Sequence, residues 1–390
     1  MNLKGISFYL SLFCFPISLL AFINILYSSY FDYFLSIESY FITLFVSLVL
    51  GISLYLFGKN SVRKINFIDQ LFLVILVYLL IGNLISIPFY LSNFQISFLN
   101  ALFESISGLT STGFSSFKNI KYLDPTLILW RSSSQWIGGL YFLIFLILLF
   151  ANKTFNFKMT NLTFPGDTNF KSEENIKNSL LNIFILYSLL TFLIFIFLNI
   201  SGVRLFNSLN LSMTLISNGG FLPSDNLNEI IFSNFQKIIL IFSFIISMLN
   251  FYFIFNVFDK KNFIIYHKED FYLLGLSLIL ILLIYFNNFD GLNTILVVLS
   301  SISNSGISFI QNNNNLSLYF LFITIIGGSL ISNTSGIKLT RIYILLKITS
   351  GETIKLISPN SIINKTIFSS DKKITDENIG ISFLIFISFF

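Results

Sequence analysis

The feature that most constrains this chain is the recurrence of apolar stretches about as long as a bilayer is thick. A helix crossing the hydrocarbon core needs about 20 mostly apolar residues. Such stretches cover residues 6–28, 38–57, 68–91, 127–150, 178–200, 236–258, 271–289 and 316–348, and a ninth begins near 379 and runs to Phe390. The eighth is too long and too interrupted for one plain helix. Composition agrees with this reading. Of the 390 residues 55% are hydrophobic and only 11% are charged, against roughly 25% charged in a soluble domain. That is too little charge to coat a water-facing globule. The expected class is an all-α polytopic membrane protein, and the composition excludes an ordinary soluble enzyme, a disordered chain and a disulfide scaffold. One cysteine, Cys14, permits no intrachain disulfide and no Cys-based zinc site. One histidine, His267, removes most His-dependent chemistry and reads as a solvated residue of a basic loop. The first stretch lacks the small-residue cleavage pattern of a signal peptide.

Orientation follows from the 23 Lys and Arg residues. With the N-terminus inside, only Lys118, Lys121, Arg131, Arg204 and Lys237 fall on outer segments, a clear positive-inside bias. The expected placement is a multi-pass protein of the inner (cell) membrane with a cytoplasmic N-terminus.

The outer connections carry a repeat. Three times a span leaves the inside and is followed by a semi-apolar stretch of about ten residues, too short to cross. A polar cluster comes next, then a turn and a returning span. The clusters are Leu109-Thr110-Ser111-Thr112-Gly113-Phe114, Ile216-Ser217-Asn218-Gly219-Gly220-Phe221 and Ile302-Ser303-Asn304-Ser305-Gly306-Ile307. Repeats of this kind decide an architecture before any single motif does. A short helix that enters and turns back presents unpaired carbonyls at a C-terminal end with partial negative charge. Both stabilise a desolvating cation, and glycine lets the following backbone turn its carbonyls toward an axis. Several such loops around one axis form a carbonyl-lined selectivity filter. The expected ion-binding residues are therefore Thr110, Ser111, Thr112 and Gly113, then Ser217, Asn218, Gly219 and Gly220, then Ser303, Asn304, Ser305 and Gly306.

These motifs, in this order, resemble the Trk/Ktr/HKT superfamily of potassium transporters, and within it the TrkH-like membrane subunits. Phe103 to Gly113 resembles the first pore helix and filter. Trp130-Arg131 with Gln135-Trp136-Ile137-Gly138-Gly139 resembles the start of the next helix, where Q-W-x-G-G is typical, and Gly219-Gly220-Phe221 resembles the second filter. Gly327-Gly328-Ser329 with Ser332-Asn333-Thr334-Ser335-Gly336-Ile337-Lys338 resembles the family's G-G-x-x-G-S-T-x-G-G-x-K segment. In the family that segment interrupts a helix and is thought to form an intramembrane gating loop. The resemblance implies repeated helix–pore-loop–helix units of K+-channel type, three complete plus a truncated fourth. Two peripheral helices within 1–66 precede units at 67–150, 177–258 and 270–348, with the gating loop at 327–338 (Gly327, Gly328, Ser332, Asn333, Thr334, Gly336, Lys338) and a linker and partial fourth unit at 349–390. It implies K+ as the transported ion, no covalent cofactor, no enzymatic activity, a homodimer in the lipid bilayer, and a cytoplasmic nucleotide-binding regulatory subunit, TrkA-like, meeting the inner loops 151–177, 259–270 and 347–378. Nothing implies nucleic acid, and the chain has no G-x-x-x-x-G-K-[ST] motif of its own. In plant relatives a serine at the first filter position goes with Na+ transport, so Gly113 implies K+.

The sequence departs from that pattern in places. The gating segment is poorer in glycine, Ile307 stands where Phe is usual, and the fourth pore loop and last helix are missing before Phe390. The expectation drawn from the ending is a fragment, a remainder on another polypeptide, or a broken gene. Two alternatives to K+ uptake remain: a Na+-permeable or poorly selective transporter, and a non-conducting remnant that binds partners. Among single residues, Glu104 reads either as a functional acid at membrane depth or as an anchor of the first pore helix. Asp225 and Asp290 read as solvated acids at outer mouths. Lys338 and Arg341 read as inner-side anchors or as gating residues, and Trp130 and Trp136 as an outer interfacial belt.

Overall fold

A computed structural model of the chain describes residues 2–61, 65–150, 173–254, 267–285, 291–307, 317–359, 366–368 and 374–389. Among them the regular elements are helices, with no β-strand. Of the residues singled out above, Asp290 and most of the inner loops 151–177 and 259–270 lie outside this set. The chain forms two compact units: Met1–Phe155 with Leu190–Phe232, and Asn156–Leu189 with Ser233–Phe390.

The first unit holds α1 (Leu3–Tyr30), α2 (Ile37–Gly58), α3 (Phe67–Tyr90), α4 (Phe98–Leu109), α5 (Pro125–Phe150), the end of α6 (Glu173–Ile200) and α7 (Leu205–Ser217). The helix starts are specified locally. Asn2 accepts from the Gly5 amide, Asn66 and Asp69 form a capping box for α3, and Ser97 accepts from the Asn100 amide, each satisfying an amide that a helix start leaves orphaned. The helices α1 and α2 pair closely because Gly58 has no side chain: a Cβ there would come within 2.5 Å of the Phe8 backbone nitrogen. Cys14, Ile17, Tyr40, Val77, Ile81 and Leu127 belong to the buried core. Phe45, Leu56, Ile75 and Leu79 point outward, which suits a hydrocarbon surround. Trp130 is not part of an interfacial belt. It is 1% exposed and donates from its indole to the Ile85 carbonyl at 3.0 Å.

The second unit holds the start of α6, then α8 (Asn234–Met248), α9 (Lys268–Tyr285), α10 (Gly291–Ser303), α11 (Ser317–Ile326), α12 (Leu339–Ile357) and α13 (Asp376–Phe389). Two of the apolar stretches are broken here. The 316–348 stretch is two helices separated by 327–338. The 236–258 stretch reads in sequence as a single span, but α8 stops at Met248, where Leu249 turns extended (ψ 162°). The two breaks meet. Ser329 donates its amide to the Met248 carbonyl at 3.0 Å, and Phe251 donates to Ile331 at 3.0 Å. The Asn250 amide is met by Asp270 Oδ1 at 2.9 Å. Each interruption thus supplies partners for backbone groups that the other releases, which a low-dielectric surround requires.

This arrangement corrects the reading of His267. It is 1% exposed, with Nδ1 at 3.1 Å from Asp270 Oδ2 and its ring edge-on to Phe253. The His–Asp pair secures the carboxylate that caps the α8 break.

Among the described residues, four helices are long and apolar enough to cross a membrane by length and composition: Leu3–Tyr30, Ile37–Gly58, Phe67–Tyr90 and Asn178–Ile200. The shorter apolar helices Asn234–Met248, Gly291–Ser303 and Asn378–Phe389 accompany them.

Candidate functional site

The short helices α4, α7 and α10 end in one and the same turn. The residue two before each cluster glycine is left-handed: Ser111 (φ 53°), Asn218 (φ 54°) and Asn304 (φ 58°). The glycines follow at positive φ, Gly113 at 84°, Gly220 at 78° and Gly306 at 67°. A backbone bond closes each turn five residues back, from Thr112 to Ser107 (2.9 Å), Gly219 to Thr214 (3.0 Å) and Ser305 to Ser300 (3.1 Å). This is the Schellman closure of a helix C-terminus. Asn tolerates the left-handed conformation better than most residues, and Gly adopts it freely. The remaining carbonyls lie at the negative end of a helix dipole.

In the first unit two of these turns are packed against each other. Gly113 abuts the second cluster so closely that a Cβ on it would strike the Gly219 carbonyl oxygen. A hydroxyl from each helix staples the chain just past its glycine: Ser107 donates to the Phe114 carbonyl at 2.6 Å and Thr214 to the Phe221 carbonyl at 2.8 Å. The helix α5 braces both turns from behind. Gln135 donates its amide to the Gly219 carbonyl and accepts from the Phe221 amide at 3.1 Å. Four residues earlier, and so on the same helical face, Arg131 pairs with Glu104 at 2.7 Å. Its guanidinium lies over the Phe221 ring, 4.2 Å from the centroid. Glu104 also takes the Ser116 amide at 2.7 Å and the Ser115 and Ser116 hydroxyls. Gly138 completes the brace, because a Cβ there would collide with the Leu109 carbonyl. The Q-W-x-G-G element therefore reads as a packing instruction that brings α5 against the end of α4.

Glu104 and Arg131 are 0% and 1% exposed. Of the two readings of Glu104, the geometry matches the anchor. Arg131, counted by sequence among the outer charges, is the buried partner of that anchor. Asp225 is also engaged, accepting the Ile120 amide at 2.6 Å, so it ties two connecting segments together.

The third turn, in the second unit, has other support. Asn304 donates to the Thr324 carbonyl of α11 at 3.1 Å. The Ser300 hydroxyl returns to its own helix at Val297 (3.0 Å) rather than reaching past the glycine. A Cβ on Gly306 would meet nothing within 4 Å.

Below α11 the chain closes a ten-residue lasso. Ile337 and Lys338 donate their amides to the Ile325 and Ile326 carbonyls at 2.9 and 3.0 Å. Gly327 (φ 68°) and Gly336 (φ 87°) lie against each other at its neck. Inside it the Gly328 amide donates to Thr334 Oγ1 at 2.9 Å, Ser332 and Thr334 share a hydroxyl bond at 2.8 Å, and Ser332 donates to the Ser329 carbonyl at 2.6 Å. Lys338 is 6% exposed and reaches back into this polar interior. Asn333 is bonded by Tyr187.

The structure thus brings Thr110–Gly113 and Ser217–Gly220 together in one unit, while Ser303–Gly306 and the 327–338 loop each form a compact feature of the other. Sequence reasoning missed the Arg131–Glu104 pair, the Gln135 bridge and the break after Met248. The one signal for the break is Asn250, a polar residue inside an apolar run.

The fold and these turns define a class: an all-helical, polytopic membrane protein with short helices ending in glycine turns. Comparisons with known proteins narrow it. No family model matches the chain. It is 27% identical over 303 residues to an uncharacterized cation transporter of Methanocaldococcus jannaschii, covering 74% of this chain and 60% of that protein. It is 24% identical over 343 residues to the Trk system potassium uptake protein TrkH of Salmonella typhimurium, covering 82% and 70%. The crystal structure of the potassium transporter TrkH from Vibrio parahaemolyticus superposes with a TM-score of 0.85 at 20% identity, over all of this chain and 83% of the other. The chain has the TrkH fold, and its resemblance to the Trk superfamily holds well beyond the short motifs.

Proposed function

We propose that this chain is a pore-forming subunit for K+ uptake across the cell membrane, acting by ion translocation and not by catalysis. The observation that carries the reading is the threefold identity of the α4, α7 and α10 turns, each with a left-handed residue two before a positive-φ glycine. In this reading Thr110–Gly113, Ser217–Gly220 and Ser303–Gly306 contribute backbone oxygens to one filter, as parts of three helix–pore-loop–helix units. The loop 327–338 gates the path beneath it. The names of the similar proteins, potassium uptake proteins and a cation transporter, support the substrate class. The positive-inside bias supports an inner-membrane protein with a cytoplasmic N-terminus. A homodimer and a TrkA-like cytoplasmic regulatory subunit complete the proposed assembly. The chain spans 60% of its archaeal relative, so these assignments concern its own share of such a system.

The test uses the purified chain in lipid nanodiscs and radioactive Rb+ as a K+ surrogate. Bound Rb+ should be displaced by K+ far better than by Na+, and Gly113→Ser should narrow that preference, since selectivity depends on the number and field of the carbonyls. A folded Gly113→Ser protein with an unchanged K+/Na+ preference would show that the filter is elsewhere. Equal displacement of Rb+ by Na+ from the native chain would favour a poorly selective transporter.

A further inference from the structure

The polar interior of the lasso has the chemistry of a cation site, and the chain fills it with its own side chain. The Lys338 ammonium contacts four oxygens: Ser332 O at 3.4 Å, Ser332 Oγ at 3.2 Å, Thr334 Oγ1 at 2.8 Å and the Thr334 carbonyl at short range. Both hydroxyl protons are already committed. Ser332 gives its proton to the Ser329 carbonyl, which leaves Thr334 as the donor in the Ser332–Thr334 bond. The remaining lone pairs of both hydroxyls therefore face the ammonium, as a hydroxyl has one proton and two lone pairs. The Gly328 amide fixes Thr334 Oγ1, and the two neck bonds fix the loop ends. A further hydroxyl, that of Ser329, is buried in the same loop with no partner. Two carbonyls and two hydroxyls, pre-oriented and nearly sealed from solvent, are the ligand set suited to a large monovalent cation.

We propose that residues 328–334 form a monovalent-cation site and that Lys338 is its tethered occupant, an ammonium held where a K+ ion would otherwise bind. This deepens the proposed gating role of the loop and rests on it. The tether is short: Lys338 sits at the start of α12, immediately after the neck, with a strained φ of 76°. Movement of α12 would therefore withdraw the ammonium from the cage. Glu269 and Arg341 are the neighbouring charges that act on it, the first attractive and the second repulsive. While Lys338 occupies the cage, its positive charge opposes entry of a second cation. Once it is withdrawn, the two carbonyls and one lone pair on each hydroxyl lose their donor and would demand a replacement, because unsatisfied buried polar groups are costly.

The test counts ions. The full chain, native and as Lys338→Met, is placed in nanodiscs, and bound Rb+ per chain is measured by equilibrium dialysis. Lys338→Met keeps most of the side-chain volume and removes the ammonium. One additional Rb+ per chain is expected, lost again in Lys338→Met with Thr334→Val. Native chain that binds Rb+ alongside a folded Lys338→Met chain that gains none overturns the proposal and leaves the filter reading intact. Native chain that binds no Rb+ at all removes the filter reading instead. Lys338→Gln serves as a second neutral variant. If the neutral variants fold only in high K+, that rescue supports the site as directly as the ion count. If neither folds at any K+ concentration, the cage has no use for a free cation and the proposal fails.

Discussion

The first two glycine turns and the third share a backbone and differ in everything around it. All three have the same left-handed residue, the same positive-φ glycine and the same five-residue closure. The first two are also stapled by a hydroxyl and braced by Gln135, Arg131 and Glu104. At the third, the homologous serine bonds its own helix, the glycine has open space, and Asn304 leans on α11 instead. A short sequence code of Asn or Ser, any residue, then Gly is enough to set the turn. Rigidity comes from surrounding helices, and the chain distributes it unequally. Since α11 runs directly into the lasso, the third turn is coupled to the segment proposed to move, while the first two are coupled to α5.

The comparison breaks most sharply at the Glu104–Arg131 pair. Glu104→Ala leaves a buried guanidinium without its carboxylate and frees the Ser116 amide, a change that typically costs about 3–5 kcal/mol. The expected outcome is a large fall in the thermal midpoint in detergent, with loss of Rb+ binding. Among the described residues no comparable ion pair stands at the third turn, so Asn304→Ala should cost about 2 kcal/mol, from one lost hydrogen bond and a left-handed backbone (φ 58°) that Ala tolerates less well than Asn. Similar losses for the two variants would show that α5 is not the brace. Next in size is glycine against glycine. Gly113→Ala meets both a positive φ and the Gly219 carbonyl, whereas Gly306→Ala meets the conformational cost alone, about 1–2 kcal/mol. Gly113→Ala should therefore lower stability and Rb+ affinity more than Gly306→Ala, as read by thermal melts and dialysis on the same preparations.

Much of this was legible in the sequence because it is written locally. Apolar length located the long helices Leu3–Tyr30, Ile37–Gly58, Phe67–Tyr90 and Asn178–Ile200, and the clusters around Gly113, Gly220 and Gly306 located the turns, since helix termination and left-handed backbone depend on residues within one turn of helix. What was not legible depends on contacts distant in sequence. Arg131 looks like an outer charge until Glu104, 27 residues away, is known to be beside it. His267 looks like a loop histidine until Asp270 is seen capping a break in another helix. The end of α8 at Met248 is invisible to hydropathy because the residues after it stay apolar. Only the partner loop, whose Ser329 and Ile331 fill the gap, makes a break there tolerable.

The smallest effect is the one that tests the comparison most finely. Ser107, Thr214 and Ser300 occupy the same position, seven residues before Phe114, Phe221 and Ile307. Ser107 and Thr214 reach forward to those carbonyls, while Ser300 turns back to Val297. Ser107→Ala and Thr214→Val each remove a bond that spans the turn glycine, worth about 1 kcal/mol. They also free the carbonyl just beyond the proposed filter to rotate. Ser300→Ala removes only a bond within its own helix, of the kind that is neutral to slightly unfavourable there, so its thermal midpoint should stay near that of the native chain. If the turns form the proposed filter, the first two variants should lose K+/Na+ discrimination in Rb+ competition along with stability, because the staple orients that backbone, and Ser300→Ala should lose neither. If Ser300→Ala shifts discrimination as much as Ser107→Ala does, the third turn is held by its serine after all, and the unequal division of rigidity between the turns is wrong.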